Sequence, residues 1–188
     1  MKQVVFVLMA IVLGGCEQAT PPAAPIPSGT TTVSSWEVLH SGASTAVGFD
    51  FQTGKTITNP GDSCDLLAFY AISLYPANPG MNAVTPFLIH PTATLHKGFC
   101  FIARGGTLQG ASTYFEGLKV APDSVYHPIA DNIQANQVWA FQRDNGTFGK
   151  ILIRNVQTRV PQSTTDTVAV EVTFDWTFQP SGSKSFEP

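Results

Sequence analysis

The chain has 188 residues, of which 43% are hydrophobic and only 12% charged, with a formal net charge of −3. It carries no basic stripe, which excludes a nucleic acid as its partner. The 16 glycines and 14 prolines, set among so few charges, describe β-sheet with many turns and not a helical bundle.

The chain opens with Lys2, an apolar run from residue 4 to 13, and small residues before Cys16. That run is too short for a stable transmembrane helix and has the length of a secretory signal core. Its ending, Leu13-Gly14-Gly15-Cys16, resembles a bacterial lipobox. The resemblance implies cleavage of residues 1–15 and attachment of lipid to Cys16. Glu17 follows in place of the aspartate that retains such proteins in the inner membrane, which favours the outer membrane. Residues 16–35, rich in Pro, Ala, Ser and Thr and without periodicity, read as a tether that buries too little to order itself. A single all-β domain is expected over residues 36–188.

Within that domain, residues 47–53 alternate Val47, Phe49 and Phe51 with Gly48, Asp50 and Gln52, as a half-buried strand does. Residues 65–75, DLLAFYAISLY, are apolar on both faces and predict a central strand. Another strand is expected at 98–103. A short helix fits only within 110–124, where Gly117 and Pro122 limit it. Residues 138–143 and 148–160 flank Asp144-Asn145-Gly146, a hairpin signal with a type I′ turn. Residues 168–178 alternate over eleven positions, so the C-terminal half predicts an antiparallel meander. The Gly- and Pro-rich connections 76–91 and 104–137 are where a binding surface is expected.

Once Cys16 is set aside, Cys64 and Cys100 remain. In an oxidising compartment one disulfide between them is the economical reading; two buried free thiols are the alternative. His96 and Cys100, with His90 nearby, have a metal-like spacing, but zinc would need the thiolate and a further ligand. Asp62 and Asp65 fit turn and strand-start positions better than a catalytic pair. The chain has no GxSxG, HExxH, P-loop or CxxC pattern, so nothing in it points to an enzyme.

Several stretches follow one another in a recognisable order: FDFQTGKTI (49–57), CDLLAFYAISLY (64–75), FEGLKVAP (115–122), VWAFQRDNGTFGKILIRNV (138–156) and VEVTFDWTFQPSGSKSF (170–186). They resemble the HmuY family of lipid-anchored haem-binding proteins, across most of residues 47–186. Cys64 stands where that family often has Trp. The resemblance implies an all-β fold that holds haem or a related porphyrin between loops at one end. It also implies delivery to an outer-membrane uptake system, such as a TonB-dependent receptor. On position, His96 and His127 are the expected axial ligands, with His90 and Met81 as substitutes and Phe99, Phe101, Tyr114 and Tyr126 as apolar walls. Trp139, Phe141 and Lys150 are expected to be scaffold. The rival readings are a structural or protein-interaction lipoprotein of the same fold without haem, and an envelope enzyme.

Overall fold

The computed structural model describes residues 26–60, 64–75, 77–91 and 97–187. Over these residues it is an all-β domain with one α-helix. Strands β1 (Ser28–Val38), β2 (Ala43–Asp50), β3 (Lys55–Thr58), β8 (Gln137–Gln142), β9 (Phe148–Arg159), β10 (Thr167–Gln179) and β6 (Gly98–Arg104) form a seven-stranded sheet in the order β3-β2-β1-β10-β9-β8-β6. Strands β4 (Leu67–Ser73), β5 (Ala83–Ile89) and β7 (Ile129–Ala130) form a three-stranded sheet. Every pairing in both sheets is antiparallel.

The alternation in β10 sets the layers. Val170, Val172, Phe174, Trp176 and Phe178 turn to one side and are buried, while Glu171 on the other side is exposed. On the buried side they meet Phe49 of β2, Phe51 just after it, Ala68 of β4, Leu88 of β5 and Ala130 of β7 in one core cluster. Phe51 stacks on Phe141 with ring centroids 3.9 Å apart, an aromatic contact that adds to the area buried. The sheets join at a corner. Strand β2 pairs with β1 only as far as Val47, and Phe49 pairs instead with Leu66 just before β4. On the other side of the large sheet, helix α1 (Leu108–Gly117) packs Ala111 on Val138 and Leu152. Beside it Ala121, Tyr126, Ala140, Phe148 and Phe186 form a further cluster.

The Thr107 side chain caps α1 by accepting from the Gly110 N–H. The other end is held from below. Lys150 is buried, and its Nζ donates to the carbonyls of Phe115 at 2.7 Å and Leu118 at 2.9 Å. These are last-turn acceptors that have no partner inside the helix.

The structure corrects four expectations about strands and turns. The tether was expected to run to residue 35, but β1 begins at Ser28 and pairs with β10 from there to Val38. Its threonines are β-branched and bond across the strands, Thr30 to Asp175 and Thr32 to Thr173, so a stretch poor in apolar residues still forms a sheet strand. The strand expected to be central, β4, lies at one end of the small sheet. The connection 76–91 contains β5, whose internal Pro86 masks it as a strand; the Pro86 carbonyl accepts from Ile133 N–H. The Asn-Gly hairpin is not type I′, because Gly146 alone has positive φ, +81°. The Gly146 N–H donates to Arg143 O, and Arg143 N–H to Thr147 O, the pattern of a type I turn closed by a glycine bulge.

No disulfide links Cys64 to Cys100; both are free thiols. Cys64 packs against Gly48 of β2 beside Leu67, whereas Cys100 packs with the cluster under Tyr126, on β6. Four strands of the large sheet, β1, β10, β9 and β8, lie between β2 and β6.

Candidate functional site

Strand β6 is the last strand of the large sheet and bonds to β8 along one edge. On its free edge Phe99 exchanges two backbone hydrogen bonds with His127, Phe99 N–H to His127 O at 2.6 Å and His127 N–H to Phe99 O at 2.8 Å. This close approach requires Gly98. Its φ is +101°, and a Cβ there would lie 2.2 Å from the His127 carbonyl oxygen. The next residue, Pro128, accepts from the His90 N–H at 3.0 Å, which fastens the segment to the end of β5.

An open groove of about 610 Å³ runs between this segment and β6. Phe99, Phe101, Trp139, Val125, His127 and Ile129 are among its walls. Phe101 is half exposed and meets Trp139 edge to face at 5.1 Å between centroids. The Trp139 indole N–H donates to Gln137 Oε1 at 3.2 Å, which fixes the ring. Among the described residues Asp131 is the single carboxylate in the lining. The groove therefore offers flat aromatic surface, aliphatic rims and one imidazole, in a volume suited to a small organic ligand.

No family model, curated protein or solved structure matches the chain.

The expected ligand residues are only partly brought together. His127 is exposed and lines the groove. His96 and Cys16 lie outside the described residues. His90 is buried, so its imidazole is held below the usual range, and it does not line the groove. Met81 is exposed on the short 3-10 turn Pro79–Met81 and lies outside the groove lining. Of the expected walls, Phe99 and Phe101 are present. Tyr126 instead turns into the cluster with Phe148, its hydroxyl donating to Pro122 O, and Tyr114 is exposed on α1 without lining the groove. The reading of Trp139 as scaffold holds for its burial but missed its groove-facing side, which follows from its position opposite Phe101 in the β6–β8 register and has no signal in the local sequence. Among the described residues no group of three or more His, Cys, Asp or Glu side chains is placed to hold a metal ion.

A second polar feature lies between the sheets. The Asp65 carboxylate is buried, 2.7 Å from the Arg143 guanidinium, and accepts from the Phe51 N–H at 3.0 Å. Burial pushes this carboxyl up from 3.8 to about 6, against the opposing pull of Arg143. It meets the Arg143 guanidinium, the Phe51 amide and the Asp50 side chain, and so ties the two sheets together; Asp62 lies outside the described residues.

Proposed function

We propose that this protein is a non-enzymatic, lipid-anchored protein of the cell envelope. It holds haem or a related porphyrin in the groove beside β6 and passes it to an outer-membrane uptake system. The observation that carries the reading is the sharing of one groove by His127, the half-exposed Phe101 and the Trp139 ring. A bound iron porphyrin would supply an open axial position, and neutral imidazole is a suitable ligand for it. Phe101 and Trp139 would cover the porphyrin face, and Ile129 and Val125 would exclude water from its edge. Because the groove is open along one side, cargo can leave it without the core separating. The resemblance to lipid-anchored haem carriers supports the same reading.

The test is titration of the protein with haemin followed by absorbance. The expected result is a sharpened Soret band that weakens and shifts in His127→Ala and weakens in Phe101→Ala. A wild-type spectrum that stays that of free haemin overturns the proposal.

A further inference from the structure

The small sheet breaks the rule that the large one follows. A strand with one wet face alternates apolar and polar residues, as β10 does. The strands β4, β5 and β7 read LAFYAIS, AVTPFLI and IA, without a charge among them. Ala68, Leu88 and Ala130 turn into the core. The residues that alternate with them turn outward. Phe69 is 38% exposed and Ile129 44%, while Phe87 and Ile89 are half-buried. Phe69 and Phe87 are paired across the strands and stack at 6.2 Å. At the Leu67 end of the sheet, Pro60 and Pro91 extend this surface around a shallow depression of about 390 Å³. The result is a contiguous aromatic and aliphatic face, of the kind that marks a contact surface.

The attachment point of the N-terminal segment identifies what covers it. Pro27 O accepts from Phe178 N–H. Arg143 lies over the Phe178 ring and is paired to Asp65, two residues before Leu67. The segment from Cys16 therefore joins the fold at the same end as the Leu67 and Ile89 pair. The residues between Cys16 and Ser28 reach at most about 40 Å when fully extended. At that range the bilayer holding the lipid is at high effective concentration for this face. We propose that the outer face of the small sheet, centred on Phe69, Phe87 and Ile89, docks on the lipid bilayer. This rests on the lipid at Cys16 proposed above. The face is uncharged, so contact is made by burial of apolar surface in the headgroup boundary and needs no anionic lipid.

The test uses the full chain as cells process it, isolated from membranes and reconstituted into phosphatidylcholine vesicles with a share of brominated acyl chains. Mass spectrometry of the amino-terminal peptide first reports whether Cys16 carries lipid. Then Phe69→Trp and Gln157→Trp are compared, each after subtraction of the three native tryptophans; Gln157 is exposed on β9, on the polar face of the large sheet. The expected result is quenching of the added emission at position 69 by about twofold or more, with little at 157. Lipid on Cys16 with equal or no quenching at the two positions overturns the docking and leaves the anchor standing. Absence of lipid on Cys16 overturns both. A dimer that Phe69→Asp converts to monomer, with no quenching, assigns the face to a second copy of the chain instead.

Discussion

The Asp65 carboxylate and the Arg143 guanidinium meet at 2.7 Å across the two sheets, and each is held by something else: Asp65 by the Phe51 amide, Arg143 by the Phe178 ring. The pair joins the start of the small sheet to the β8–β9 hairpin. Breaking a buried pair from one side leaves a charge with no counterion. Arg143→Met is therefore expected to cost about 3–5 kcal/mol at pH 7, and Asp65→Asn combined with Arg143→Met clearly less. Urea unfolding of the two single mutants and the double mutant measures the coupling.

The same carboxyl sets a pH dependence. Its pKa in the fold, about 6, lies above the unfolded 3.8, so the native state holds the proton more tightly. In the window between these values this group makes stability fall as pH rises. The slope is expected to vanish in Asp65→Asn, as denaturant midpoints from pH 4 to 7 would record.

Lys150 titrates with the opposite sign. Burial, with Lys119 adding repulsion, lowers its ammonium from 10.5 to about 8. The unfolded chain holds that proton more tightly, so this group makes stability rise between about pH 8 and 10.5. Lys150→Met removes two charged hydrogen bonds to the end of α1 while relieving a buried charge, and a net loss of about 1–3 kcal/mol is expected. Faster amide exchange at Gly117 and Leu118 would locate the damage in the last helical turn.

Gly149 lies flat beneath the Phe141 ring, where a Cβ would meet ring carbon Cε1 at 2.0 Å. Phe141 is also stacked on Phe51, so the ring has nowhere to move without disturbing the core. Gly149→Ala is expected to cost about 2–3 kcal/mol, read from thermal unfolding.

With both remaining cysteines free, reductant is expected to leave the unfolding midpoint unchanged. Alkylation of the native protein should modify Cys100 well before Cys64. Burial pushes the Cys64 thiol up to about 11 and seals it under Gly48 and Leu67. Equal rates, or no alkylation at either thiol after unfolding without reductant, would contradict this.

Much of the large sheet was legible because its strands obey one period. The alternation from Val168 to Phe178 and the run around Asp144-Asn145-Gly146 led directly to β8, β9 and β10. What stayed hidden followed other rules. Strand β1 is recognisable only by its β-branched threonines, whose partners lie far along the chain. Strand β5 carries a proline, and β4 is apolar outside as well as inside, so hydrophobicity alone misjudged its place in the sheet. At the groove, residue type pointed to His127 and Phe101. The burial of His90 and the inward turn of Tyr126 depend on how the 126–128 segment bonds to β6 and β5, and no local pattern encodes that.

The pairing of β1 with β10 joins nearly the first described residue to nearly the last, Ser28 beside Thr177. Strand β1 can pair early with β2 on one edge, but its other edge stays unpaired until β10 is available. The large sheet therefore closes at its centre through the long-range pairing of β1 with β10, and folding awaits that non-local step. Loss of β10 removes the partner of both β1 and β9 at once and splits the large sheet into β3-β2-β1 and β9-β8-β6. The presence of β10 is in this way a condition of folding, and a product that lacks it presents the long edges of β1 and β9 unpaired to proteases.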